Sequence, residues 1–98
     1  MHKLTVLIIN FNGAHFLNDC LDSVIAQRKF FSDFNILVIE NASSDDSLSV
    51  LKQYENQIEL IVNDQNVGFP PAVNQALPYI NSDYIWLLNN DTQFDQTI

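Results

Sequence analysis

Basic residues are scarce in this sequence. Four Lys or Arg residues stand against twelve Asp or Glu residues, which gives a formal net charge of −8 over 98 residues. Nucleic acids and anionic membrane surfaces both require clusters of Lys and Arg. The charge balance therefore argues against either as a partner, and a phosphorylated ligand would need backbone N–H groups or a metal ion to offset repulsion.

Cysteine and long apolar runs are also nearly absent. The single cysteine, Cys20, leaves no intrachain disulfide and no cysteine-based zinc cluster. No stretch approaches the roughly 20 apolar residues of a transmembrane helix, and the first apolar run is too short for a secretory signal. These absences predict a cytoplasmic protein. A composition with 47% hydrophobic and 16% charged residues is typical of one globular domain.

Four apolar segments have the length and composition of β-strands. Three of them, at residues 4–9, 34–40 and 83–89, are unbroken, and a weaker one lies at residues 58–62. Continuous apolar runs suit strands that are buried on both faces of a parallel sheet. The segment at 83–89 is therefore predicted to be a central strand.

Helical patterns separate these strands. Residues 14–27 repeat apolar residues on one face, residues 43–54 begin with Ser and Asp capping chemistry, and residues 70–80 begin with two prolines. Pro78 should end or kink the last helix. The order β-α-β-α-β-α-β predicts an α/β fold for residues 1–98, with an open, doubly wound, mostly parallel sheet of about four strands and helices on both faces.

Polar residues follow every predicted strand. The four segments are NFNG at 10–13, ENASSD at 40–45, NDQNVG at 63–68 and NND at 89–91. Asn, Asp and Gly are common in any turn, so one such segment would mean little. In a doubly wound sheet, however, ligands bind beyond the carboxyl ends of the strands, where all four segments should meet. The coincidence predicts a ligand site at this edge.

Two common sites of this fold class are missing. The sequence has neither a G-x-G-x-x-G dinucleotide fingerprint nor a phosphate-binding loop. A receiver domain would carry acidic residues after its first strand and an Asp after its third, where this chain has Asn10 and Asn63.

The ordered motifs resemble the N-terminal, donor-binding half of a GT-A glycosyltransferase of the inverting family 2. The resemblance covers residues 4–94 and is carried by VLIINFNG, CLDSVIAQ, ILVIENASSDDS, NVGFPPAVNQAL and DYIWLLNNDT, in the order that the family shows. It implies the Rossmann-like GT-A variant of the predicted fold. Glu40 stands where the family usually has Asp.

The resemblance also implies a nucleotide-sugar site. Its residues would be Asn10, Phe11, Asn12, Glu40, Asn41, Asn66, Gly68, Phe69, Asn74, Asn90 and Asp91. Glu40 would accept a hydrogen bond from the base or the ribose, and Asp45 would either cap the second helix or approach the base edge. Asp91 would bind Mg²⁺ or Mn²⁺, which would neutralise the diphosphate leaving group.

The resemblance implies transfer of a sugar from a UDP- or dTDP-sugar to a hydroxyl of a saccharide or lipid-linked acceptor. The reaction would serve polysaccharide biosynthesis and would take place at the inner face of the membrane. The family's catalytic base lies beyond the acidic segment, so no catalytic residue is predicted in this chain, and Asp95 matches a base by residue type alone. We therefore expect the truncated N-terminal part of a longer enzyme, inactive by itself. Exposure of Phe30 and Phe31 would favour self-association of such a fragment. The alternative is a non-catalytic nucleotide-binding or assembly module with the same fold.

Overall fold

Four parallel strands form the centre of the molecule. The computed structural model describes residues 2–30 and 33–91. The strands are β1 (His2–Asn10), β2 (Phe34–Glu40), β3 (Glu59–Val62) and β4 (Ser82–Leu88), and their order in the sheet is β3-β2-β1-β4. All three neighbouring pairs are parallel, so the predicted sheet is confirmed.

Three helices connect the strands. They are α1 (Ala14–Ala26), α2 (Ser47–Lys52) and α3 (Phe69–Ala76), and short 3₁₀ turns extend α1 and α3. The turn after α3 contains Pro78, whose ring and missing N–H end the α-helix as predicted. Among the described helices, none has the length and apolar character needed to cross a bilayer.

The two faces of the sheet are covered by different helices. On one face, α1 and α2 pack on apolar residues of the strands, and Leu17, Cys20 and Leu21 of α1 are fully buried there. On the other face, Ala72 and Ala76 of α3 pack against the sheet. Helices therefore cover both faces, as the β-α alternation predicts.

Strand β4 differs from the prediction. It has β1 on one side and no strand on the other within the described part of the chain, so the prediction of a central strand is wrong. Tyr84, Ile85 and Leu87 are 63%, 46% and 42% exposed, whereas Leu88 is buried and Trp86 packs beside the core under α1. A continuous apolar run shows that a strand is suited to burial, and it does not show which element covers the strand.

Candidate functional site

The carboxyl ends of three strands are joined by hydrogen bonds. Asn10 and Glu40 are partners in the register of β1 and β2. Asn10 Nδ2 donates to Glu40 Oε1 at 2.8 Å, and Asn90 Nδ2, just beyond β4, donates to Asn10 Oδ1 at 2.9 Å. The structure thus brings three of the predicted site residues together at one edge of the sheet.

The Glu40 carboxylate is buried and accepts three hydrogen bonds from protein donors. Its side chain is 2% exposed. Besides the bond from Asn10, Oε2 accepts the Ser43 N–H at 2.7 Å and Oε1 accepts the Ser43 hydroxyl at 2.6 Å. A buried charge needs such partners. Contact between Glu40 and a base or ribose stays a prediction.

The loop after β1 is locked to the loop after β2 by Asn12. Its backbone φ of 54° lies in the left-handed region, which Asn tolerates better than most residues. Asn12 Oδ1 accepts the Ser44 N–H at 2.7 Å and the Asp45 N–H at 3.3 Å, while the Asn12 N–H donates to Ser43 Oγ at 2.8 Å. The Asn12 side chain therefore holds the second loop in place.

Asp45 caps two helices at once. Its carboxylate accepts the Ala14 N–H at the start of α1, at 3.1 Å, and the Ser47 N–H at the start of α2, at 2.9 Å. Partial desolvation opposes ionisation, but the hydrogen bonds from Ser47 and Ala14 lower the pKa of Asp45 below its ordinary value. Of the two roles predicted for this residue, the structure shows the helix cap.

Asn41 ties the loop after β3 to the end of β2. It is buried, and its Oδ1 accepts the Val67 N–H at 3.0 Å and Asn63 Nδ2 at 3.2 Å. Its Nδ2 donates to the Gly68 carbonyl at 3.3 Å. The amides of Asn63 and Gln75 in turn pair with each other, at 2.9 Å and 2.7 Å. Asn63 belongs to the polar segment 63–68 predicted at this edge, whereas Gln75 was not predicted there, because amide pairs leave no spacing signal in a sequence.

Gly13 is required by the close approach of β1 and β4. A Cβ atom at this position would collide with Asn90 Nδ2 and Asn10 Oδ1 and would lie 2.8 Å from Asn90 Cγ. The sequence showed Gly13 only as a turn residue. Its steric role depends on Asn90, which is distant along the chain, and only the folded structure shows that contact.

The sequence model described as "Glycosyl transferase family 2" matches residues 5–97. The chain belongs to glycosyl transferase family 2.

Two bacterial enzymes with polyol-phosphate names are similar to this family-2 chain. It is 31% identical over 97 residues to a teichoic acid poly(glycerol phosphate) polymerase of Staphylococcus epidermidis, covering 95% of this chain and 13% of that protein. It is 30% identical over 93 residues to a poly(ribitol-phosphate) beta-glucosyltransferase of Bacillus spizizenii, covering 91% of this chain and 15% of that protein. The chain thus spans a small part of the length of these relatives.

Solved structures confirm the GT-A, Rossmann-like fold of the family-2 chain. The crystal structure of S. aureus TarS 1-349 in complex with UDP has a TM-score of 0.76 and 25% identity, covering 91% of this chain and 27% of that one. The mannosyltransferase PcManGT from Pyrobaculum calidifontis, in complex with GDP-Man and Mn²⁺, has a TM-score of 0.87. It is 19% identical and covers 96% of this chain and 29% of that one, so it supports the fold alone.

The remaining predicted site residues of the family-2 chain lie at the surface. Phe11 and Phe69 are 47% and 49% exposed. Asn66 is exposed, and its Oδ1 accepts the Gly68 N–H at 2.8 Å just before α3. Gly68 has a φ of 87°, which favours glycine, and leads into that helix. Asn74 is exposed on α3, and its side chain makes no hydrogen bond within the described residues.

A metal would rely on few protein ligands. Asp91 is exposed beside half-buried Asn90, and the described residues contain no group of three or more His, Cys, Asp or Glu side chains that could hold a metal ion. Mg²⁺ and similar hard cations often bind one or two carboxylates together with phosphate oxygens and waters. One carboxylate and one amide oxygen fit such a cation when a diphosphate supplies the other ligands.

Proposed function

We propose that this family-2 domain binds a nucleotide-diphosphate sugar at the carboxyl edge of its sheet and presents it for transfer to an acceptor hydroxyl. The observation that carries the proposal is the hydrogen-bonded junction of Asn10, Glu40 and Asn90, which positions the exposed Asp91 at the edge where ligands bind in doubly wound sheets. Family membership and the names of the relatives support a transferase in cell-wall polymer synthesis.

The predicted residues divide into two groups by the role that we propose for them. Six exposed or half-buried side chains are proposed to face the donor: Phe11, Asn66, Phe69, Asn74, Asn90 and Asp91. The other five hold the loops from behind through hydrogen bonds or backbone conformation: Asn10, Asn12, Glu40, Asn41 and Gly68.

A divalent cation is part of the proposal. Asp91 and the amide oxygen of Asn90 would hold Mg²⁺ or Mn²⁺ together with the ligand. The cation would supply positive charge to the diphosphate leaving group, which a domain with a net charge of −8 offers poorly. Mn²⁺ in the complex of the mannosyltransferase with GDP-Man supports the use of a metal within this fold.

The donor and acceptor are proposed from the relatives. TarS structures with UDP and with UDP-GlcNAc, each at 25% identity, favour a uridine or thymidine diphosphate sugar. The names of the relatives favour a polyol-phosphate polymer among saccharide or lipid-linked acceptors. Such synthesis would take place at the cytoplasmic face of the membrane.

Two predictions fall outside the described residues. Asp95, the candidate base by type, lies beyond residue 91, and Phe31 lies in the gap between residues 30 and 33. Phe30 is 57% exposed, which supports our proposal that the chain self-associates at high concentration. We also propose that the 98-residue chain alone transfers no sugar.

Calorimetric titration tests the proposed function. We expect UDP or dTDP to bind the chain in the presence of Mn²⁺, and binding to fall sharply with EDTA or in Asp91→Ala. Asp83→Ala is the matched control, because Asp83 is an exposed acid at the opposite end of β4. Absence of nucleotide binding by the folded wild-type chain with Mn²⁺ would contradict the proposal and favour a non-catalytic assembly module.

A further inference from the structure

The donors and acceptors around Glu40 are fixed by backbone groups. The Asn12 N–H can only donate, and it donates to Ser43 Oγ at 2.8 Å. The Ser43 hydroxyl donates its own hydrogen to Glu40 Oε1, 2.6 Å away, because a carboxylate can only accept, while the Ser43 N–H donates to Oε2. Glu40 acts as an acceptor at both oxygens.

This arrangement determines which way the Asn10 amide points. Asn10 is fully buried, and the group that faces Glu40 also lies 3.3 Å from Ser43 Oγ. Both neighbours accept here, so the Asn10 NH₂ group must face them. The Asn10 oxygen is consequently turned towards β4.

The orientation of Asn10 in turn determines that of Asn90. The Asn10 oxygen can only accept, so Asn90 must direct its NH₂ group inwards, which it does at 2.9 Å. The Asn90 oxygen is left without a hydrogen bond inside the described part of the chain, next to Asp91.

We propose that Glu40 is a positioning residue that sets the orientation of the Asn90 amide through Asn10. Because a carboxylate can only accept, the Glu40–Asn10–Asn90 relay has one direction, and it presents an oxygen acceptor on the residue that precedes Asp91. A glutamine at position 40 could present either end of its amide. The relay could then reverse and turn the Asn90 NH₂ group outwards, where it would repel a cation and could not accept a hydroxyl.

The relay is a property of the protein alone. Its role in ligand binding rests on the proposed function. An oxygen at Asn90 suits two ligand groups of similar chemistry, a divalent cation and a ribose hydroxyl, both of which seek an acceptor. If the relay reversed, the cation or the ribose hydroxyl would lose the Asn90 oxygen as its partner. The relay can therefore be tested without ligand, and its consequence can be tested with Mn²⁺ and UDP separately.

Side-chain amide resonances of the ¹⁵N-labelled chain test the relay directly. In Glu40→Gln we expect the Asn90 NH₂ protons to shift upfield and to exchange faster with water, because their acceptor is no longer fixed. Gln75→Ala is the control, since it breaks the separate Asn63–Gln75 amide pair and should leave the Asn90 signals in place. Unchanged Asn90 signals in folded Glu40→Gln would overturn the proposal.

Binding measurements then test the consequence. Loss of a residue that orients a ligand group typically weakens metal affinity by about ten- to a hundredfold, and we expect a loss in that range for Glu40→Gln. A loss with Mn²⁺ alone identifies the cation as the partner of Asn90, whereas a loss with UDP in EDTA identifies the ribose. Glu40→Asp keeps the acceptor-only character and should retain more affinity than Glu40→Gln. Equal losses in both variants would indicate a merely structural role and would overturn the proposal.

Failure of the relay can be distinguished from failure of the proposed function. If the wild-type chain binds neither Mn²⁺ nor UDP while the Asn90 signals still respond to Glu40→Gln, the proposed function is wrong and the relay stands. If Glu40→Gln does not fold, Asn10→Ala serves for the resonance test, because it removes the acceptor of the Asn90 NH₂ group and should speed exchange of the Asn90 NH₂ protons. Unchanged exchange in that variant would overturn the relay.

Discussion

At the scale of single residues, neutral amides join the strand ends of this acidic domain. Asn10, Asn41 and Asn90 each link two loops or strands through one side chain. An amide both donates and accepts, so it can bridge a carboxylate and a second polar group without adding charge. An aspartate at position 10 would place two carboxylates side by side in a buried site, which is costly. The choice of Asn therefore keeps the negative charge at this edge low.

Gly13→Ala should disrupt the junction of β1 and β4. The added Cβ collides with the side chains of Asn10 and Asn90, and overpacking of this kind typically costs about 1–3 kcal/mol of unfolding free energy. Urea denaturation measures the cost, and the Asn90 amide signals report the displacement. Ala14→Gly, one residue later, is the control and should leave those signals unchanged. A Gly13→Ala variant with wild-type stability and unshifted Asn90 signals would contradict the steric argument.

The burial of the Cys20 thiol leads us to expect a loss of stability in alkaline solution. Burial, with a contribution from the negative charge of Asp91, raises the pKa of Cys20 from 9.0 to about 11. The folded chain thus holds this proton more tightly than the unfolded chain does. The stabilisation is complete below pH 9.0 and is lost as the pH rises towards about 11. Urea denaturation across this range should show a steeper decline for the wild type than for Cys20→Ala, and parallel declines would contradict the assignment.

At the scale of elements, the sequence predicted the starts of α1 and α3 to within one residue but misplaced the start of α2. The boundaries of β2 agree with the predicted segment 34–40. The predicted helix 43–54 is shorter in the structure, because α2 begins at Ser47. The N–H groups of Ser43 and Ser44 are bound by Glu40 and Asn12, which leaves them outside the helix. The bond from Ser44 joins residues distant along the chain, so local capping patterns could not reveal it.

The shared cap of α1 and α2 should depend on Asp45 and not on its neighbour. Asp45→Ala removes the acceptor for two helix N–H groups, and the loss of such a cap typically costs about 1 kcal/mol of unfolding free energy. Asp46→Ala is the matched control, because Asp46 precedes α2 without a side-chain cap hydrogen bond. Denaturation at neutral pH should therefore separate the two variants, and equal stabilities would refute the shared cap.

The stabilisation by the Asp45 cap should also depend on pH. The pKa of Asp45 is lowered in the folded chain, so its stabilisation is present above the ordinary value of 3.8 and is lost as the pH falls below it. The stability difference between wild type and Asp45→Ala should shrink over that acidic range. A difference that is constant with pH would show that the charge of Asp45 plays no part.

At the scale of the whole molecule, the site edge was predictable and the covering of the sheet was not. Parallel strands and polar strand ends suffice to place Asn10, Glu40 and Asn90 at one edge, since the alternation of strands and helices implies parallel strands whose carboxyl ends share an edge. The burial of Glu40 and the exposure of β4 depend on contacts between distant segments. Tyr84, Ile85 and Leu87 are as apolar as buried strand residues, and their exposure reflects which elements pack nearby.

The net charge of the domain predicts how salt should change the binding of Mn²⁺ and of UDP. At a charge of −8 the domain attracts Mn²⁺ and repels the diphosphate of UDP, and salt screens both effects. Raising the KCl concentration should therefore weaken Mn²⁺ binding and strengthen metal-free UDP binding in calorimetric titrations. Uridine, which has no phosphate, is the control and should bind independently of salt. Metal-free UDP affinity that falls with salt would point to a cationic phosphate site instead.

The uncovered side of β4 has a practical consequence for assays on this chain. Environment-sensitive dyes such as ANS fluoresce on accessible apolar surface, and folded protein would already bind them at Ile85 and Leu87. A dye-based melting curve would start from a bright baseline and would understate the unfolding transition. Intrinsic fluorescence of the half-buried Trp86 would follow the same transition without that background.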